Sequence, residues 1–97
     1  MINPLPVLDG AEVLYYVFLD GKRKTDRCRH FINGKMLTSA FSLAICQYEN
    51  DSEVYVFHCD ENWKVMTDDF LGSVEDAFEQ TKIQYEELNK SDWIEFI

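Results

Sequence analysis

The residues of this chain able to do chemistry are two histidines, three cysteines and eighteen carboxylates. Imidazole and thiolate are the usual zinc ligands, and structural zinc sites draw them from paired spacings. Cys28, His30, Cys46, His58 and Cys59 show no such pairing. Cys28 and His30 lie two apart and share one face of a strand. His58 and Cys59 are neighbours and must point to opposite faces, so no metal site is expected. A calcium loop counted from Asp60 fails as well. It puts Lys64 at a ligand position, lacks the turn glycine and ends on Leu71 in place of a bidentate glutamate.

Covalent catalysis needs a base beside a serine or cysteine and an orienting group behind that base. His30 and His58 both sit in strand-like runs, where an imidazole ordinarily serves the core or an edge. Asp60 and Asp68 flank one hairpin and offer two carboxylates for acid–base work. Turns favour aspartate for conformational reasons alone, however, and no cofactor loop accompanies the pair. The expectation is a protein that is not an enzyme and needs no cofactor.

Composition narrows the class further. Ninety-seven residues, 46% hydrophobic and 14% aromatic, make a single domain (1–97) with one modest core. An odd number of cysteines without C-x-x-C reads as reduced core thiols in a cytoplasmic protein. No apolar run nears the ~20 residues of a membrane span. Residues 1–10 have neither the basic nor the apolar region of a secretion signal.

The net charge of −9 is unevenly spread. Residues 1–48 carry six Lys/Arg against four Asp/Glu, whereas residues 49–97 carry three against fourteen. Such a surface repels nucleic acid and membrane phosphates and speeds encounter with a basic protein. Excess acid also keeps proteins soluble, so charge by itself does not name a partner.

These residues have to be placed by the elements around them. Pro4 and Pro6 make residues 1–10 an extended lead-in. Residues 11–20 are β-branched and aromatic, as in a central strand covered on both faces or one with an exposed aromatic edge, and Asp20-Gly21 turns the chain. Residues 22–29 hold five of the nine basic residues; a solvated hairpin loop, free or leaning on the chain's own acidic half, explains them better than a phosphate loop, since glycine-rich spacing is missing. Asn33-Gly34 suits a two-residue hairpin turn, with residues 35–38 returning. Residues 41–48 alternate as a strand; a helix over 36–46 would lack a cap. Residues 53–59, a turn at 60–62 and residues 63–67 form the next hairpin. Ser73 then caps a helix, with Glu75 and Asp76 at its positive end. Val74, Ala77, Phe78, Thr81, Tyr85 and Leu88 form its apolar stripe. Ile83 points away from that stripe; cover by the tail at residues 93–97 is expected, and a partner anchor if it is exposed. The fold class is therefore α+β: an antiparallel β-meander of five or six strands with one C-terminal amphipathic helix packed on one face.

What remains is surface. Asp60, Glu61, Asp68 and Asp69 come from one hairpin, Glu75, Asp76 and Glu79 from the helix start, and Trp63 lies between them in sequence. Crowded acids repel one another until a cation or basic partner relieves them, and an aromatic among them suits an interface. These eight residues are the candidate partner-binding site. For Trp63 the alternative is a place in the core under the helix.

Three motifs taken together carry a resemblance. They are Leu43-Ala44-Ile45-Cys46-Gln47-Tyr48; Tyr55-x-Phe57-x-Cys59-Asp60-Glu61-Asn62-Trp63-x-Val65-x-Thr67-Asp68; and Ser73-Val74-Glu75-Asp76-Ala77. The pattern resembles small acidic immunity proteins of bacterial polymorphic toxin systems, including contact-dependent growth inhibition. It covers the C-terminal half of the chain. The resemblance implies an antitoxin-like inhibitor that binds a cognate basic toxin, commonly an RNase or DNase, and blocks its active site with acidic side chains. The partner would be that protein, with no direct nucleic acid and no membrane. The alternative is a small cytoplasmic adaptor, or a self-assembling domain joined through residues 13–19.

Overall fold

The computed structural model describes residues 2–21, 31–32, 34–36 and 40–96. Among the described residues the order is β1 (Val7–Leu8), β2 (Ala11–Phe18), β3 (Phe31–Ile32), β4 (Lys35–Met36), β5 (Ser42–Gln47), β6 (Val54–Cys59), β7 (Val65–Leu71), α1 (Val74–Gln84) and β8 (Ile94–Glu95). The basic stretch at 22–29, Cys28, His30 and residues 37–39 lie outside the described residues.

The main sheet is antiparallel throughout and runs β1-β2-β5-β6-β7, with β8 also paired to β2. It is a meander into which the β3–β4 hairpin is inserted. That hairpin pairs Ile32 with Lys35 across a two-residue loop, and Gly34 takes φ +79°, as the turn chemistry requires. Strand β2 pairs with three others. One of its edges is filled by β5; the other is shared by β1 at Ala11 and Glu12 and by β8 at Tyr15 and Tyr16.

Residues 36–46 do not form a helix where the structure describes them. Ser42–Cys46 are all buried in β5, because that strand has β2 and β6 on its edges and apolar layers on both faces. The helix forms as its sequence demands: Ser73 is extended and its hydroxyl accepts from the Asp76 amide at 3.1 Å. Ala77, Phe78, Thr81 and Gln84 are its buried residues. Tyr85 and Leu88 complete the apolar stripe from beyond the helix, because Tyr85 is already extended.

Each face of the sheet carries its own apolar layer. Under the helix lie Val17, Leu43, Ile45, Val54, Val56 and Trp93 among others. The opposite face gathers Val13, Tyr16, Cys46, Phe57, Cys59 and Trp63. The sheet curls over this second layer, since the Trp63 indole N–H donates to the Ile2 carbonyl at 2.7 Å. That bond joins the segment ahead of β1 to the turn between β6 and β7.

Three expectations are corrected. Trp63 does not begin the return strand; it closes the turn at φ +63°, and β7 runs from Val65 through Leu71. Asp68 and Asp69 are therefore strand residues and do not mark the end of a hairpin. The tail does not bury Ile83, which is 41% exposed. Trp93 turns inward against Phe78, with ring centroids 5.7 Å apart, and Ile94–Glu95 join β2.

Candidate functional site

The densest polar cluster is one that sequence reasoning does not mark. His58 lies on β6 in phase with Val54 and Val56, so it faces the helix. Asp69 lies on β7 in phase with Leu71 and faces the same way. The end of the helix brings Gln84 and Tyr85 to them. The Tyr85 hydroxyl stands 2.7 Å from His58 Nδ1, Asp69 Oδ2 stands 2.9 Å from Nε2, and Gln84 Nε2 donates to the same oxygen at 2.9 Å. An ionised Asp69 only accepts, so Nε2 donates to it, and Nδ1 shares the remaining hydrogen bond with the Tyr85 hydroxyl.

Hydroxyl, imidazole and carboxylate thus stand in the order of a nucleophile, its base and the group that orients it. Both His58 and Tyr85 are 0% exposed. A substrate cannot reach the hydroxyl, and the cluster instead ties the helix end to β6 and β7. Its neighbour Cys59 faces the other layer, so the adjacent His58 and Cys59 diverge as strand geometry requires. Among the described residues no three His, Cys, Asp or Glu gather as a metal group.

The eight expected partner-binding residues are dispersed. Asp60 accepts from the Asn62 and Lys64 amides at 2.8 and 2.9 Å, which makes it the organiser of the turn. Trp63 is 7% exposed and packs edge-on to Tyr16 and Phe18. It fills the core, but on the face away from the helix. Asp69 belongs to the buried cluster. Glu75 is held by Lys90 at 2.8 Å. Glu61, Asp68, Asp76 and Glu79 are exposed. They do not form one patch: the seven residues of β7 separate the Glu61 turn from the helix start, a span of roughly 20 Å. Asp68 moreover faces the side opposite the helix, across from Phe57.

A second surface, missed by sequence reasoning, emerges around Asp68. On the same face Phe70 pairs with Tyr55, and Tyr55 meets Tyr48. Ring centroids are 5.0 Å apart in the first contact and 5.3 Å in the second. Phe70 is 56% exposed, and both tyrosines are half-buried. The Tyr48 ring rests on Gly10, within 3.7 Å of where a Cβ would stand. Burial, followed by the carboxylate of Asp9, the Tyr55 hydroxyl and the carboxylate of Asp68, holds the Tyr48 phenol above its ordinary range. Beside it opens a cleft of about 500 Å³ lined by Val7, Glu12, Tyr48, Glu49 and Asp51 with their neighbours. The signal for this surface is the alternation Tyr55-Phe57-Cys59 opposite Asp68-Phe70. A return strand ending at Thr67 conceals it.

Compared with known proteins, the chain matches no family model, no curated protein and no solved structure.

Proposed function

We propose that this chain is a non-catalytic inhibitor that binds a cognate basic toxin of the nuclease class and neutralises it in the cytoplasm of the bacterium that makes both. One observation carries the reading. Fourteen carboxylates are exposed among the described residues, and Glu75 alone of them is paired with a lysine. Unrelieved like charge destabilises the compact state, and a basic partner removes that cost while the field speeds its arrival. The resemblance of the C-terminal half to immunity proteins supplies the biological context. No helix of the described residues is long and apolar enough to cross a membrane.

Self-assembly through residues 13–19 has less to recommend it, because β5 fills one edge of β2 and β1 and β8 occupy the other as far as Tyr16. The test is a tagged pull-down from the native cell, washed at low and then high salt, followed by expression of any captured protein alone and with this chain. One basic protein, bound one-to-one, salt-sensitive, toxic alone and harmless in company, is the expected result. Recovery of nothing, or only of copies of this chain, overturns the reading. Asp68→Lys is the suitable charge probe, since it removes no hydrogen bond. Asp60→Lys is not, because it removes the acceptor of two turn amides.

A further inference from the structure

We infer that the partner docks on the open half of the sheet face away from the helix, and that its docking element is a basic segment laying lysine or arginine side chains over the Tyr48, Tyr55 and Phe70 rings between Asp9 and Asp68. The inference rests on the reading of the chain as a binder of a basic protein, and adds the place and the chemistry of contact.

The two faces of the sheet differ in how they are closed. The helix and Trp93 cover one. On the other, among the described residues, the segment ahead of β1, the Trp63 turn and Phe96 cover the part around Tyr16 and Phe18. Beyond that cover the three rings continue in one row, ending at Phe70, more than half exposed. Apolar side chains of this kind form the centre of protein interfaces, and aromatic ones carry most of the affinity there.

The occupant follows from charge, and the molecule holds its own precedent. On the helix side Lys90 Nζ stands 5.4 Å from the centre of the Phe78 ring and 2.8 Å from Glu75. One ammonium there serves a ring face and a carboxylate together, as cation–π geometry allows. The open face has the same two ingredients, without a cation among the described residues. Asp68 stands on β7 two residues before Phe70 and on the same face, and Asp9 precedes Gly10, on which the Tyr48 ring rests. Neither has an ion-pair partner among the described residues. The lysines whose side chains are described lie elsewhere: Lys64 in the β6–β7 turn, Lys82 on the helix, and Lys90 on Glu75. Glu12, Glu49 and Asp51 in the adjoining cleft extend the same sign of charge. A neutral or acidic segment would leave these carboxylates desolvated and unpaired, whereas an arginine or lysine satisfies ring and carboxylate at once.

The probe is the capped pentapeptide Arg-Leu-Arg-Leu-Arg, titrated into ¹⁵N-labelled protein, with Glu-Leu-Glu-Leu-Glu as the control. Shifts centred on Tyr48, Tyr55, Asp68 and Phe70 are expected for the basic peptide only. Phe70→Ser, or Asp9→Asn combined with Asp68→Asn, should weaken binding about three- to tenfold, the equivalent of losing one such contact. Shifts centred on Glu75, Glu79 and Glu86, or equal binding by these variants, overturn the inference. The two proposals fail separately. A captured toxin whose affinity ignores these variants but falls with Glu79→Lys and Glu86→Lys leaves the function standing and removes this surface. Peptide binding on the row, with no toxin to be found, does the reverse.

Discussion

The helix face and the open face of this sheet are built from the same strands, in alternate phase, and end in opposite states. Under the helix the apolar layer is covered. A polar cluster is covered with it, and Lys90 already sits over Phe78 beside Glu75. On the other face, among the described residues, the curl of the sheet and Trp63 close one half, and Phe70 stays exposed with Asp68 two residues before it and unpaired. Alternation alone can make both faces apolar; whether a face becomes core or surface depends on how much chain is left to cover it. Here the helix covers one face, and among the described residues the other is covered around Tyr16 and Phe18 while Phe70 stays exposed.

The largest expected effect tests this contrast between two phenylalanines. Phe78, 7% exposed beneath Lys90, should cost about 3–5 kcal/mol on truncation to alanine, because a core cavity remains. Phe70→Ala should stay within about 0.5 kcal/mol. Urea unfolding of both variants gives the comparison, and similar losses would mean that the open face is not open.

A smaller effect is expected at the buried cluster. Tyr85→Phe removes the hydrogen-bond partner of His58 Nδ1 while keeping the ring, and should cost about 1–2 kcal/mol with faster amide exchange at the helix end. An unchanged midpoint would show that the hydroxyl does not hold helix to sheet.

An effect seen only at alkaline pH lies in the covered half of the second face. Burial, with Cys59 and Asp9 adding to it, pushes the Cys46 thiol far above its ordinary range. Burial, then Asp60 and Asp9, pushes Cys59 from 9.0 up to about 12. The folded chain thus keeps protons that the unfolded chain releases above pH 9. The stability tied to them is complete below pH 9 and is lost as pH rises toward 12. Cys59→Ala should therefore show a shallower decline across that interval. The same slope in both proteins would mean that water reaches this half of the face as well.

Much of the fold is legible along the chain. The Ser73 cap, the stripe through Leu88, the Asn33-Gly34 hairpin and the strand at residues 41–48 all rest on local rules of capping, period and turn chemistry. The candidate site is far less legible. Asp60, Asp68, Asp69 and Glu75 look alike as carboxylates in sequence. In the fold they differ: Asp60 organises a turn, Asp68 faces outward, Asp69 serves His58 and Glu75 pairs with Lys90. Gln84 offers no hydrophobic signal and is buried because its amide reaches Asp69. Ile83 offers one and is 41% exposed.

Local sequence was enough for the α+β class, the cap and stripe of the helix, and the acid excess of the second half, because each depends on neighbours a few residues away or on counting alone. Strand pairing settled the rest: which carboxylates are used inside, which aromatics are covered, and that Trp63 closes the face away from the helix. Those outcomes depend on which strands meet and in what register, and a slip of one residue moves every side chain of a strand to the other face.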